Sequence, residues 1–327
     1  MMNAMAASAA QVRPQLLERR ARLQSAAASG TGYLNDLLAQ VDAALQRIDD
    51  GTYGICEQCH DTIEADRLQV NPLVRFCLDH LNQEERRAHE QDLELASQIQ
   101  SRLLPPAAIS LRHWETCYRY EAAGPVGGDY CDATVLGDGQ SLFFAVGDVA
   151  GKGVAASLLM THLSAIFRSL LPLHLPLAEL MGRANRLFCE STLTSHYATL
   201  VCGRATGDGI ELCNAGHCPP LVVRPGTVQK VDTAGLPLGL FCEVQYPVAH
   251  VSLEEGDGLV IYTDGITEAL DPQGNEFGAE GLGNSLRQHF GGRAEALAGG
   301  VVQDVAGFRA GGRPTDDLTL LVVRRQS

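Results

Sequence analysis

Four acidic positions after residue 106 share one local setting. In each, an aspartate stands at the edge of a β-like run with a glycine or a second acid beside it: Gly127-Gly128-Asp129-Tyr130, Gly147-Asp148, Tyr262-Thr263-Asp264-Gly265 and Pro314-Thr315-Asp316-Asp317. One such motif alone usually marks only a turn. Four together suit hard divalent cations, because Mg²⁺ and Mn²⁺ prefer oxygen ligands and several carboxylates can hold two ions.

The chemistry open to such a site is the hydrolysis of a phosphate ester. A pair of divalent cations can activate a water and stabilise both the attacking and the leaving oxygens of an in-line phosphoryl displacement. The chain has no Gly-x-Ser-x-Gly elbow and no cysteine in a phosphate-binding loop. The sequence therefore favours metal-activated water as the nucleophile.

The segment around Asp148 also has the composition of a nucleotide-binding loop. A Walker loop needs four residues between its first glycine and its Gly-Lys pair, followed by serine or threonine. Here three residues separate Gly147 from Gly151-Lys152, and Gly153 occupies the hydroxyl position. The Walker interpretation is therefore rejected, and Asp148 is retained as a cation ligand. The alternative is an acid at the N-terminus of a helix that begins after a tight turn.

A second candidate metal site lies in the N-terminal third. Two residues separate Cys56 from Cys59, and after seventeen further residues Cys77 and His80 repeat this spacing. Two such pairs can each chelate from a tight turn, and thiolates with an imidazole are a tetrahedral Zn²⁺ set. Four protein ligands leave no open position for a substrate, so the zinc is predicted to be structural. His60 is a spare candidate ligand, with a solvated side chain as the favoured alternative.

The elements that position the four aspartates are short strands mixed with helices. Successive helices without an intervening strand argue against a doubly wound parallel sheet and for an α+β sandwich with helices outside it. The predicted strands cover residues 117–122, 142–146, 197–205, 221–223, 259–262 and 318–323, and the predicted helices cover 153–171, 177–190, 279–290 and 294–309.

The N-terminal part is predicted to be helical. Amphipathic patterns over 10–29 and 34–48 are separated by a glycine turn, which indicates an antiparallel hairpin or one arm of a dimer. A further helical pattern over 81–104 ends at Pro105-Pro106. We predict a homodimer through this connecting helix, with a solvated spacer as the alternative. Its narrow apolar seam comprises Ala88, Leu95, Ala96, Ile99 and Leu103.

The composition favours a globular protein and argues against several other classes. A chain of 327 residues with 45% hydrophobic residues can form about two domains with a sizeable core. A formal charge of −14 argues against bulk binding to nucleic acid or to an anionic membrane. The N-terminus lacks the pattern of a secretory leader, so a cytoplasmic protein is expected. Six scattered cysteines are interpreted as small buried residues in a reducing compartment: Cys117, Cys131, Cys189, Cys202, Cys213 and Cys242.

The predicted zinc site lies in a segment that carries a family resemblance. The run from Gly51 to Cys59, with Ile63, Arg67-Leu68, Pro72 and Cys77, resembles the zinc finger of the DksA/TraR family of RNA polymerase-binding regulators over roughly residues 33 to 85. His80 stands where that family usually has cysteine. The hairpin tip, 28–32, lacks the acidic residues that the family presents there. We therefore interpret the module as a finger used for sensing, dimerisation or docking.

The second resemblance spans about residues 93 to 324. Seven blocks in order resemble the SpoIIE/RsbU branch of the PPM (protein phosphatase 2C-like) serine/threonine phosphatases: Leu93 to Pro105 with its Leu-Glu-Leu-Ala start, Gly127 to Tyr130, Gly147 to Gly153, Asn214 to His217, Gly235 to Gly239, Tyr262 to Ala269, and Asp316 to Thr319. The resemblance implies a β-sandwich flanked by helices and two Mn²⁺ or Mg²⁺ ions at one end of it.

The same resemblance implies the ligands and the substrate. Asp129, Asp148 with the backbone carbonyl of Val149, Asp264 and Asp316 fall at its metal positions. Asp316 is preferred to its neighbour Asp317 because the family places its ligand first. The implied substrate is a phosphorylated STAS-domain antagonist of an anti-sigma factor, in a partner-switching pathway. We expect the N-terminal zinc module to control this activity through the connecting helix.

Three further residues have open roles, and the chain has a second possible function. His217 is a candidate leaving-group acid or a turn histidine, Lys152 could steer phosphate or be solvated, and Glu268 could orient a water or hold a helix start. The alternative function is a transcription regulator that binds RNA polymerase through its finger and carries a non-catalytic phosphatase fold. The predicted domains are the hairpin and finger (1–80), the connecting helix (81–106) and the phosphatase domain (107–327).

Overall fold

The computed structural model describes residues 2–27, 32–80, 83–193, 195–207 and 209–326. Contacts divide the chain into two compact units, Met1–Leu93 and Glu94–Ser327. This division falls inside the segment predicted as the connecting helix. The hairpin tip that lacks acids lies mostly outside the described residues, at 28–31.

The first unit is built on two long helices, α1 (Met2–Ala27) and α2 (Gly32–Asp49). Arg13 of α1 forms an ion pair with Asp49 at the end of α2, whereas Arg20, further along α1, pairs with Asp42, which comes earlier in α2. The two helices therefore run antiparallel, as predicted. A short helix, α3 (Ala65–Val70), follows, and α4 (Gln83–Leu103) confirms the helix expected before Pro105. One small core joins hairpin and finger through Val12, Leu16, Val41, Ala44, Leu45, Tyr53, Cys56, Ile63, Leu68 and Cys77.

The second unit contains two antiparallel sheets. The six-stranded sheet has the order β1-β2-β11-β10-β7-β8, and the five-stranded sheet has the order β3-β4-β5-β6-β9. The strands are β1 (Ala108–Ser110), β2 (Trp114–Glu121), β3 (Tyr130–Val135), β4 (Leu142–Val149), β5 (Ala198–Thr206), β6 (Gly209–Ala215), β7 (Leu221–Arg224), β8 (Thr227–Lys230), β9 (Ala249–Val251), β10 (Gly258–Tyr262) and β11 (Leu318–Arg325).

The two sheets pack face to face on an apolar layer. Side chains of β4 alternate, as the two-residue period of a strand requires. Leu142, Phe144 and Val146 enter the layer between the sheets, where residues of β10 and β11 such as Ile261 and Leu321 meet them. This packing confirms the predicted sandwich and fixes the ends of β4, β10 and β11 relative to one another.

Helices cover both outer faces of the sandwich. Helices α5 (Gly153–Leu170) and α6 (Leu177–Ser191) pack on the five-stranded sheet through Phe167 and Phe188, against Phe143 of β4. Helices α7 (Asp264–Thr267), α8 (Gly278–His289) and α9 (Ala294–Arg309) cover the six-stranded sheet. The sequence predicted all of these helices except the four-residue α7.

One segment of the described chain, Gly153–Leu173, is long and apolar enough to cross a membrane by length and composition. It is mainly α5, whose Met160, Leu163 and Phe167 are buried against the five-stranded sheet. The apolar character of this segment is therefore explained by its place in the core of the sandwich.

The cysteine interpretation is correct for four of the six residues. Cys117, Cys131, Cys202 and Cys213 are free and buried. It is wrong for the other two, because Cys189 and Cys242 form a disulfide across 53 residues of sequence, and the second of them is exposed. The apolar residues next to Cys242 in sequence did not indicate that its side chain is buried, because Cys242 lies in a surface loop that packs on α6.

Candidate functional site

The four aspartates predicted as cation ligands lie at strand ends of both sheets. Asp129 directly precedes β3, and Asp148 is the next-to-last residue of β4. Asp264 begins α7 two residues after the end of β10, and Asp316 lies two residues before β11. Since β3 pairs with β4 and β10 pairs with β11, each sheet brings two of these residues to one end of the sandwich. We call the four residues the acidic cluster.

Asp129 is the most deeply placed member of the cluster. It is 2% exposed, and its Oδ2 accepts hydrogen bonds from the hydroxyls of Thr263 (2.8 Å) and Thr319 (2.6 Å). Burial raises the pKa of Asp129 well above its usual value, the two hydroxyls oppose this shift, and the nearby Asp148 carboxylate adds to it. Two threonines from the six-stranded sheet thus orient an aspartate of the other sheet.

Asp148 lies among other acids. Burial, together with the nearby carboxylates of Asp264, Asp316 and Asp317, raises its pKa to about 7. Burial and Asp316 likewise raise the pKa of Asp264. Burying several ionised carboxylates close together costs free energy unless a cation balances their charge. The electrostatics of the acidic cluster therefore fit a site for divalent cations.

The two adjacent acids at the start of β11 have different environments. Both carboxylate oxygens of Asp317 accept backbone hydrogen bonds, from Ala123 N (2.8 Å) and Gly128 N (2.6 Å). The carboxylate of Asp316 instead accepts a hydrogen bond from Lys152 Nζ at 2.7 Å. Asp317 therefore holds the loop before Asp129 in place, whereas the carboxylate of Asp316 faces the ammonium group of Lys152.

Gly128 lies close to the backbone and side-chain oxygens at the end of β4. A Cβ added at this glycine would lie 3.1 Å from Ala156 Cβ and 3.3 Å from Val149 O, so a side chain here would crowd this carbonyl; Asp148 Oδ1, at 3.5 Å, would be in ordinary contact. Within the part of the chain that the structure describes, no three carboxylates of the acidic cluster have oxygens within 4.8 Å of one another.

Gln100 is a site residue whose role the sequence did not reveal. This buried side chain of α4 brackets the backbone of Gly127, donating to its carbonyl (2.6 Å) and accepting from its N–H (3.0 Å). Gly127 is two residues from Asp129. The only sequence signal was the position of Gln100 within the first block of the phosphatase resemblance. The C-terminal part of α4 is thus fastened to the loop that carries Asp129.

His217 is a buried, neutral histidine. Its Nδ1 lies 2.9 Å from Thr199 Oγ1, and its backbone N–H donates to Asn214 Oδ1 at 2.8 Å. Burial lowers its pKa to about 4, so the ring carries no charge near neutral pH. This environment fits the turn histidine rather than the leaving-group acid.

The predicted zinc ligands come together in the first unit. The ligand atoms of Cys56, Cys59, Cys77 and His80 all lie within 4.8 Å of one another. Cys77 Sγ is 3.7 Å from Cys59 Sγ and 3.2 Å from His80 Nδ1, spacings that fit a tetrahedral ion with bonds of about 2.3 Å to sulfur and 2.0 Å to nitrogen. The donor set therefore fits structural Zn²⁺.

Comparison with known families confirms both family resemblances. The family described as Stage II sporulation protein E (SpoIIE) matches residues 138–326, more than half of the chain. The chain belongs to the SpoIIE family. Its second unit is therefore a phosphatase domain of the SpoIIE/RsbU type within the PPM class. The prokaryotic dksA/traR C4-type zinc finger matches residues 51–79, and this SpoIIE-family chain carries His80 just beyond them.

Two curated relatives and one solved structure illustrate the similarity. Protein IcfG from Synechocystis is 28% identical over 268 residues, covering 72% of this chain and 41% of IcfG. Phosphoserine phosphatase RsbU from Bacillus subtilis is 24% identical over 279 residues, covering 84% of this chain and 76% of RsbU. The RsbU and RsbW domains of Rv1364c from Mycobacterium tuberculosis align with a TM-score of 0.59 at 27% identity, covering 68% of this chain and 62% of that one. The chain thus spans about two fifths of IcfG.

Proposed function

We propose that this chain is a cytoplasmic, metal-dependent phosphatase that hydrolyses phosphoserine or phosphothreonine in a protein. The observation that carries the proposal is the acidic cluster: four aspartates from two sheets share one partly desolvated space at the end of the sandwich. The name of RsbU, phosphoserine phosphatase, agrees with this substrate class.

In this proposal the ligands are Asp129, Asp148 with the Val149 carbonyl, Asp264 and Asp316. Mn²⁺ or Mg²⁺, when bound, supplies Lewis acidity and lets water act as a nucleophile at neutral pH. Asp317 serves as a positioning residue, because its oxygens are already engaged by two backbone N–H groups.

The remaining chemistry depends on the residues around the cluster. Thr263 and Thr319 hold Asp129 in one orientation. Lys152, with 69% of its side chain exposed beside Asp316, offers a positive charge to a substrate phosphate. Geometry fixed in advance reduces the reorganisation that the reaction requires.

The substrate we propose is a phosphorylated STAS-domain antagonist of an anti-sigma factor, which would place the chain in a partner-switching pathway. The names of RsbU and RsbP, both phosphoserine phosphatases of Bacillus subtilis, support the phosphoprotein class. The test is release of phosphate from such a phosphoprotein by the full chain, with Mn²⁺, with Mg²⁺ and with a chelator. Release that is equal with and without the chelator, or no release with either metal, would contradict the proposal.

Regulation of this activity by the N-terminal zinc module is proposed to act through α4, since Gln100 fastens this helix to the loop of Asp129. Replacing Gln100 with alanine leaves both backbone groups of Gly127 without these partners. We expect a loss of about 2 kcal/mol in the free energy of unfolding and about a tenfold fall in kcat/KM. Urea unfolding and phosphate release measure the two effects. Gln98→Ala, an exposed neighbour on the same helix, is the matched control, and equal behaviour of the two variants would count against the coupling.

Dimerisation through α4 is proposed from its exposed apolar side chains. Leu95 is 56% and Ile99 50% exposed, and they lie four residues apart on one side of the helix. Replacing both with glutamate should convert a dimer of 35.0 kDa chains into monomers, as measured by light scattering after size exclusion. Leu173→Glu, which changes an exposed leucine outside α4, should leave the dimer intact. A monomeric unmodified chain would contradict the proposal.

Binding to RNA polymerase is the second candidate function. The finger match over residues 51–79 is the observation in its favour. Co-purification of polymerase with the full chain, lost in a variant that does not hold zinc, would support it. The phosphatase proposal predicts that polymerase is absent from the purified protein.

A further inference from the structure

A disulfide in the phosphatase unit joins a helix to a surface loop. Cys189 near the end of α6 is bonded to Cys242, with their Cα atoms 5.5 Å apart. Cys189 is half-buried and Cys242 is exposed. The free cysteines Cys117, Cys131, Cys202 and Cys213 of the same unit are buried. A reagent in solution therefore reaches Cys242 more readily than these four thiols.

The loop that carries Cys242 is also docked on α6 by hydrogen bonds. Asn185, fully buried and one helical turn before Cys189, donates through Nδ2 to Phe241 O (2.7 Å) and Cys242 O (3.2 Å). Its Oδ1 accepts from Gly239 N at 2.9 Å. One side chain thus makes three contacts with the backbone of residues 239–242, and the disulfide adds a covalent bond to the same contact.

This loop continues directly into the sheet that carries Asp148. Leu238 and Ala198 exchange two backbone hydrogen bonds of 2.8 and 3.0 Å. On its other side, Ala198 is the strand partner of Val149. Backbone pairing therefore connects the disulfide-bonded loop to the start of β5, and the start of β5 to the end of β4. Loosening of the loop would be felt at the strand that pairs with Val149.

We propose that Cys189 and Cys242 form a reversible redox modification site that controls the order of the loop 238–242. An external thiolate attacks the exposed Cys242 Sγ, the S–S bond breaks, and Cys189 leaves as a thiolate that takes up a proton. A second thiol of the reductant resolves the mixed disulfide. A dithiol reductant thus gives two electrons and two protons to the pair, and a disulfide oxidant such as oxidised glutathione reverses the reaction.

The reduced chain keeps the Asn185 hydrogen bonds, so we expect local loosening rather than unfolding. The covalent bond restricts a segment of 53 residues, and its loss increases the freedom of that segment. Hydrogen exchange at the backbone amides of Ala198 and Leu238 should become about tenfold faster. The melting temperature of the phosphatase unit should fall on the order of 5 °C.

The experiment uses the full chain with its zinc, incubated with oxidised glutathione or with dithiothreitol and then trapped with N-ethylmaleimide. Peptide mass spectrometry should find Cys189 and Cys242 labelled only after reduction, and reoxidation should remove the labelling. Hydrogen exchange is followed on peptides that cover 195–200 and 236–247. These readouts are independent of whether the chain hydrolyses phosphate.

The double variant Cys189→Ser/Cys242→Ser should show the exchange of the reduced chain and no response to dithiothreitol. The control is Cys218→Ser, a half-buried free cysteine outside the pair, which should retain the full response. The proposal is overturned if both cysteines are labelled without reduction, or if the oxidised and reduced chains have the same exchange and melting temperature.

Discussion

Replacing Asp148 with asparagine is expected to lower metal-dependent phosphate release by about 10³-fold or more, because the variant lacks one anionic ligand of the proposed cation pair. Asparagine keeps the shape of the side chain and removes its charge. Asp264→Asn is expected to behave in the same way. The measurement is single-turnover phosphate release from the phosphoprotein at saturating Mn²⁺, together with calorimetric titration of Mn²⁺ into the metal-free chain.

The stability of these variants separates a lost ligand from a lost fold. Asp148 stands beside three other carboxylates, and burial with this repulsion raises its pKa to about 7. Such a group lowers the stability of the metal-free fold as pH rises from about 4 to 7, because the folded state resists ionisation. Asp148→Asn without metal should therefore melt at the same temperature as the unmodified chain, or higher, at pH 8.

The control for this prediction is Asp232→Asn, an exposed aspartate of the same unit outside the acidic cluster. It should retain both Mn²⁺ binding and turnover. Full activity in Asp148→Asn or Asp264→Asn would remove the proposed mechanism. Loss of activity accompanied by a lower melting temperature would instead indicate that the aspartate supports the fold.

Local sequence patterns predicted most of the long elements and missed strands β1, β3, β6, β8 and β9. Apolar β4 and β10 and the periodic α5, α6, α8 and α9 were predicted within a few residues. Strand β3 was missed because it contains Asp132, a charge that is unusual in a buried strand. Arg168 of α5, 36 residues away, compensates it through two hydrogen bonds. The three-residue strands β1 and β9 are too short to show a period.

In the candidate site too, residues marked by their sequence neighbours were predicted, whereas contacts between residues far apart in the sequence were not. A glycine or a second acid beside an aspartate is visible in the sequence, so all four members of the acidic cluster could be named. The contacts of Asp317 with Ala123 and Gly128 cross about 190 residues of sequence. No local pattern specifies such a contact. The bonds of Gln100 to Gly127 and of Cys189 to Cys242 were missed for the same reason.

The finger contains much less helix and strand than the phosphatase unit. Between residues 50 and 80 it contains the six-residue α3, a single turn of 3-10 helix at Leu78–His80 and one isolated bridge, Ile55 to Thr62. Cys56 and Cys77 are themselves part of its small core. A segment of this kind buries too little apolar surface to fold without a metal.

Replacing Cys77 with serine is therefore expected to remove zinc from the chain and unfold residues 51–80. Structural zinc contributes about 10 kcal/mol or more in finger peptides, far more than this small core supplies. Metal analysis should fall from one Zn²⁺ per chain to none. Hydrogen exchange over 51–80 should become fast, while exchange in the sandwich stays unchanged. His80→Cys, which supplies another zinc-binding group, should retain the ion.

His60 offers the matched control, because it is adjacent to the ligand Cys59 yet exposed and outside the set of four. Its φ of 61° lies in the left-handed region, which asparagine tolerates well among non-glycine residues. His60→Asn should therefore keep both the zinc and the protection of the finger. If His60→Asn lost the ion while Cys77→Ser kept it, the ligand set would be wrong. If zinc-free Cys77→Ser kept its exchange protection, the ion would not be what holds this segment folded.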